Sequence, residues 1–223
     1  MPLVALFKRI GDSSMKTRLN KKLYLFIVIH ICINFIISIL SKNINLSKEG
    51  ELNLLLITFF TYLFFSILPP LLYLKFIDKI NPLVYIKGKS NTLNGVVKGV
   101  LISAFIFLVL FLKNNLIVNL TVSPYILLGR ALVAPFEEIT FRGFYLNKFN
   151  EHMNLLKASI FTSLIFASVH IPNLISNGSL NLIPLIQIFI VSLWLSYIYK
   201  KTDSLIASIL SHATYNMCLL LLF

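Results

Sequence analysis

The chain has 223 residues, 57% of them hydrophobic and only 13% charged, with a formal net charge of +12. Soluble domains carry about 25% charged residues, whereas the mean hydropathy here is +0.86, which excludes an ordinary soluble domain. The positive charge is no nucleic-acid footprint: RNA- and DNA-binding motifs are absent, and the basic residues sit between apolar runs.

These features predict an all-α polytopic membrane protein. Seven apolar runs approach the roughly 20 residues that a membrane helix needs. A basic segment, 1–22, comes first and holds Lys8, Arg9, Lys16, Arg18, Lys21 and Lys22. The apolar run that follows it is too long for a signal core, so no cleavable signal peptide is expected, and Met15 is an alternative start. The first run, 23–40, contains His30, read as a packing histidine, and Cys32. The second, 52–74, carries Pro69-Pro70, which should break or kink it. A polar connection, 75–98, reads as a cytoplasmic loop, and the third run spans 96–112.

The fourth run, 125–141, contains Arg130, Glu137 and Glu138, charges that a hydropathy window would miss. Arg130 lies near its outer end and should snorkel. The fifth run, 158–170, is short and extends back towards Leu155. An uncharged outer loop is expected over 171–181, followed by runs 182–199 and 205–223, the last with Cys218. Both cysteines fall in apolar runs and are expected to be buried, reduced thiols. His152 reads as a loop residue. All Lys and Arg except Lys42, Lys48, Lys113 and Arg130 then fall on one side. The positive-inside rule makes that side, with the N-terminus, cytoplasmic. The expected organisation is the basic segment 1–22 and one helical membrane domain over 23–223, with the first half mostly scaffold.

An ionisable side chain at the centre of a membrane helix costs about 2.5–3.5 kcal/mol on insertion scales. Glu138 and Arg142, four apart, share a helix face and can pair. Glu137 points about 100° away and lacks that partner. Later come Phe166-x-x-x-His170 and His212-x-x-x-Asn216, each pair also on one face. At roughly 1.5 Å per residue, Glu137 lies roughly 8–14 Å from the cytoplasmic boundary, His212 about 10 Å, Asn216 about 16 Å and His170 about 18 Å. One chamber, reached from the cytoplasm, can hold them all. A carboxylate, two imidazoles and an amide suit hydrolysis by activated water. Glu137 with His170 would hold and deprotonate the water, and His212 with Asn216 would stabilise the oxyanion.

The blocks Glu137-Glu138-x-x-x-Arg142-Gly143, Phe166-x-x-x-His170 and His212-x-x-x-Asn216, with Tyr199-Lys200-Lys201-Thr202-Asp203-Ser204-Leu205 before the third, resemble those of the CPBP family. These are CAAX proteases and bacteriocin-processing enzymes, also called Abi. The resemblance covers about residues 125–220. It implies an intramembrane endopeptidase acting on a peptide or lipidated-protein substrate in a bacterial cytoplasmic membrane. By motif position, Glu137 is the catalytic glutamate, His170 its water-holding partner, and His212 and Asn216 the oxyanion residues. Family members are often labelled metalloproteases. No His-Glu-x-x-His zinc motif is present, so no cofactor is expected. Were zinc bound, Glu137, His170 and His212 would be its ligands. Ser192 and Ser196 replace glycines common in the family. The alternatives are a non-catalytic bacteriocin-immunity or peptide-binding membrane protein, and a transporter.

Overall fold

The computed structural model describes residues 21–40, 50–86, 92–114, 117–119, 121–176, 178 and 181–222. The alternative start at Met15 and the basic residues before Lys21 lie outside the described residues, as do Lys42, Lys48, Lys87 and Lys89. Among the described residues the regular elements are all helices: α1 (Lys21–Leu40), α2 (Glu51–Ile77), α3 (Pro82–Ile86), α4 (Thr92–Lys113), α5 (residues 124–152), α6 (Leu155–Ser176), α7 (Leu182–Thr202) and α8 (Leu205–Leu221). Each predicted run is the body of one of them. Five, α1, α2, α4, α6 and α7, are long and apolar enough to cross a membrane, and α8 is a shorter apolar helix. The charged α5 is not among them.

Several boundaries differ from expectation. The 75–98 connection is not simply a loop: α2 runs on to Ile77, α3 forms inside it, and α4 begins at Thr92. Nor does a loop start at 171, because α6 continues through Pro172 to Ser176. One proline removes a single hydrogen-bond donor, too little to end a helix packed against α7. His152 ends the helical tail of α5 instead of lying in a loop. Both cysteines are free, but Cys32 is exposed on α1 and only Cys218 is buried.

Pro69 and Pro70 do not break α2. A proline offers no N–H to the carbonyl four residues earlier, here Phe65 and Ser66. In lipid such carbonyls need partners from the protein, and neighbouring helices supply them. His30 Nε2 lies 2.9 Å from the Phe65 carbonyl, and Asn34 Nδ2 donates to it at 3.3 Å. Thr140 Oγ1 donates to the Ser66 carbonyl at 2.9 Å. The other ring nitrogen of His30 is 2.5 Å from the Tyr145 hydroxyl, which gives this buried histidine the structural part expected of it. The α2 backbone absorbs the prolines with π-helical stretches on either side, Tyr62–Ile67 and Tyr73–Ile77.

Two glycines set close contacts. A Cβ on Gly99 would stand 2.8 Å from Leu210 Cδ1 and 3.0 Å from Ala207 Cα, so α4 lies directly on α8. Small residues allow such approach where no hydrophobic effect drives helices together. At Gly143 of α5, a Cβ would be 2.9 Å from Ile86 Cβ. That glycine makes room for α3.

The buried core gathers at one end of the bundle, where Leu23, Tyr73, Leu74, Ile86, Phe144 and Tyr199 pack together. Lys148 reinforces this end through ion pairs with Asp78 at 2.7 Å and Glu151 at 3.1 Å. Tyr85 donates to Glu151 at 2.5 Å. Burial, then that bond to a carboxylate, pushes the Tyr85 phenol well above its usual range. The opposite end of the bundle is hollow.

Candidate active site

α5 builds the floor of that hollow. Its α-helical part, Pro124–Glu138, passes into a π-helical stretch, Ile139–Leu146, directly after the paired glutamates. Glu138 turns inward and is fully buried with Arg142. Arg142 Nη1 donates to Glu138 Oε1 at 2.8 Å, as the four-residue spacing predicted. Arg142 Nη2 reaches across to α7 and donates to both the carbonyl and the hydroxyl of Ser192, each at 2.9 Å. The serine that replaces a family glycine is therefore a working hydrogen-bond acceptor. Its carbonyl also accepts from Ser196 Oγ at 3.0 Å.

Glu137 faces the hollow and keeps 6% exposure. His170 of α6 and His212 of α8 converge on it. His170 Nε2 is 3.9 Å from Glu137 Oε1, and His212 Nε2 is 3.6 Å from Glu137 Oε2. Each imidazole is oriented through its other nitrogen. His170 Nδ1 lies 2.7 Å from the Phe166 carbonyl one turn back. His212 Nδ1 lies 2.8 Å from Glu138 Oε1. A carbonyl or carboxylate on Nδ1 directs the remaining functional nitrogen, Nε2, at the site. Phe166 packs between these groups: its ring is 4.6 Å from the His170 ring, 6.0 Å from that of His212, and 5.0 Å from the Arg142 guanidinium.

The glutamate pair is thus one assembly with the later histidines. Sequence alone paired Glu138 only with Arg142, whereas the fold makes it the anchor of His212. Asn216 lies one turn beyond His212 on the same cavity wall, and its Nδ2 donates to the Arg130 carbonyl at 3.4 Å. That long bond uses one of its two amide hydrogens. Tyr62 of α2 was not picked out from the sequence. Its hydroxyl donates to Glu137 Oε1 at 3.3 Å, so the first half of the chain contributes to the site and is more than scaffold. No motif flags a tyrosine that arrives 75 residues before its partner.

These groups line a cavity of about 1020 Å³. Each surrounding helix gives it one stripe at three- or four-residue spacing, such as Arg130, Val133 and Glu137 of α5 and His212, Tyr215 and Leu219 of α8. Arg130, exposed near the outer end of α5, also lines this space. All the stripes lie in the halves of the helices remote from the 75–98 and 147–157 connections, and the exposed Tyr125, Ile126 and Leu219 lie towards the open end. The expected entry from the cytoplasm therefore disagrees with the expected orientation. The cavity opens at the end away from the basic connections, and the core closes the other.

Two imidazole nitrogens and a carboxylate form a donor set chemically suited to zinc. Among the described residues, however, no group of three or more His, Cys, Asp or Glu is arranged to hold a metal ion.

Residues 119–218 match the family model described as Type II CAAX prenyl endopeptidase Rce1-like. Comparisons with curated proteins and with solved structures gave no match. The matched stretch contains Glu137, Glu138, Arg142, His170, His212 and Asn216. This part of the chain, which lies in a helical membrane protein, is thus similar to Rce1-like CAAX endopeptidases.

Proposed function

We propose that the protein is an intramembrane endopeptidase that cleaves peptide bonds with water activated by Glu137. One observation carries the reading: a nearly buried carboxylate with imidazole nitrogens 3.6 and 3.9 Å away, on the wall of a cavity of about 1020 Å³. Gaps of that length between Glu137 and His170 suit a bridging water. Glu137 would take the proton from that water as it attacks the scissile carbonyl. Asn216 would then offer its second amide hydrogen to the oxyanion. His212 can join it as a donor only with both ring nitrogens protonated, because Nδ1 is committed to Glu138. Glu137 finally delivers its proton to the departing amine. No nucleophilic serine or cysteine is needed, and no metal.

The substrate would be a peptide or lipidated tail that enters through the open end of the cavity or from the lipid. The host membrane would be a bacterial cytoplasmic membrane, in keeping with the Lys-, Asn- and Ile-rich usage of the chain. The test is mass spectrometry of the membrane peptides of cells expressing either the wild type or Glu137→Gln. Fragments present only with the wild type, and reproduced by purified protein in liposomes, support the reading. Identical peptide profiles would sink it.

A further inference from the structure

The Glu138 carboxylate is held at one of its two oxygens. Oε1 takes both donors described above, Arg142 Nη1 and His212 Nδ1, each at 2.8 Å. Oε2 is buried and has no hydrogen-bond partner among the described residues. A carboxylate pinned at a single oxygen can tilt about that point, and the imidazole that it orients tilts with it. A charged oxygen buried without a donor is also costly.

One hydroxyl is placed to supply the missing donor. Ser208 lies on α8 four residues before His212, so the two side chains share a helix face, one turn apart. Ser208 is fully buried and stands beside the Glu138 carboxyl, within reach of a hydrogen bond to it. In the structure its Oγ donates instead to the Leu205 carbonyl at 3.0 Å. The two acceptors differ in need. Leu205 opens α8, and its carbonyl already accepts the backbone N–H four residues on. A hydrogen bond to an ionised oxygen is about twice as strong as one between neutral groups. A serine hydroxyl proton rotates to suit its acceptors. Turning it from Leu205 to Glu138 satisfies a buried charge and leaves no carbonyl unpaired.

We propose that Ser208 is a positioning residue: it donates to Glu138 Oε2, so that Ser208 and His212 clamp one carboxylate from the same helix face and His212 Nε2 stays aimed at Glu137. This rests on the endopeptidase reading. Ser208 itself touches no substrate and acts through Glu138 and His212. Misplacing an oriented group in this way lowers the rate of the chemical step more than the affinity for substrate.

The experiment compares the wild type with Ser208→Ala, and Ser208→Thr with Ser208→Val, a pair of equal shape that differs in the hydroxyl. The first readout is NMR of protein labelled at histidine nitrogen, with the His212 signals assigned by their loss in His212→Gln. An ionised carboxylate only accepts, so His212 Nδ1 carries a proton, and the exchange of that proton with water reports how firmly Glu138 holds the ring. Exchange should be at least about tenfold faster in Ser208→Ala than in the wild type, and faster in Ser208→Val than in Ser208→Thr. The second readout is cleavage of a fluorogenic prenylated CAAX peptide in liposomes. Ser208→Ala should lose about tenfold in kcat with KM and melting temperature unchanged, and Ser208→Thr should turn over faster than Ser208→Val. A residue that merely fills space would lower the melting temperature and leave the His212 proton as it was. Wild-type exchange of that proton in Ser208→Ala, or equal exchange in Ser208→Thr and Ser208→Val, overturns the proposal whatever happens to the rate. If the wild type cleaves no such peptide, the endopeptidase reading fails for that class, and the His212 proton still decides the part played by Ser208.

Discussion

Glu138 Oε1 lies 2.8 Å from His212 Nδ1, and this contact joins residues 74 apart in the chain. The same oxygen accepts from Arg142 at 2.8 Å. In the proposed mechanism Glu138 works at one remove from the reaction: it fixes which way the imidazole points and is itself held by the arginine.

That double duty separates stability from activity. Breaking a buried ion pair by removing one partner costs about 3–5 kcal/mol, because the other charge is left uncompensated. Arg142→Met should lower thermal stability in detergent accordingly. The double variant Glu138→Leu, Arg142→Met should regain most of that stability while staying inactive, since His212 then has no acceptor at Nδ1. Recovery of proteolysis together with stability would show that Glu138 does not orient His212.

Glu137→Gln keeps the shape of the side chain and an acceptor for Tyr62, but removes the base. A positioned general base contributes about 10²–10⁴-fold, and a loss of at least that size is expected with membrane insertion intact. Tyr62→Phe removes only the hydroxyl that steadies the carboxylate. Its expected loss is about tenfold or less in kcat, with the melting temperature unchanged.

Gly143→Ala places a methyl 2.9 Å from Ile86 Cβ. Overpacking of a tight contact costs about 1–3 kcal/mol. The variant should melt earlier, and Ile86→Ala in the same chain should restore part of the loss. If the second change worsens stability additively, α3 does not rest on Gly143.

Reaction through a water held by Glu137 and His170 predicts insensitivity to metal removal. Purified protein dialysed against a strong chelator should retain full activity, and added zinc should not raise it. Loss of activity restored by stoichiometric zinc would replace the side-chain mechanism with a metal-assisted one.

The open end of the cavity predicts the face from which it can be labelled. In a variant lacking Cys32 and Cys218, Gln187→Cys should react with a membrane-impermeant maleimide on intact cells. Lys79→Cys, at the closed end, should react only after permeabilisation. The reverse pattern would place the cavity on the cytoplasmic side and invert the orientation drawn from the basic residues.

Much of this was readable in the chain because membranes make strict demands. Apolar runs had to become helices, and every run did. Glu137, His170 and His212 could be grouped from depth and spacing, since buried ionisable groups need a reason to be there. Three things were hidden. Tyr62 reaches Glu137 through packing between distant helices, which has no local signature. Ser192 is an acceptor for Arg142 only because α5 and α7 lie side by side. The length of α6 was misjudged because the uncharged stretch 171–181 was read as a loop, whereas the helix continues through Pro172 at the cost of a single hydrogen bond.

The seam at Pro69 and Pro70 bears on how portable the site is. The Ser66 carbonyl holds Thr140, one turn from Glu137, and the same helix presents Tyr62 to the carboxylate. Excising residues 119–218 would strip both contacts and leave Thr140 without its acceptor inside the bilayer. The smallest transplantable unit of this site consequently reaches back at least to α2, and a graft of the matched stretch alone would arrive with the Glu137 carboxylate unmoored.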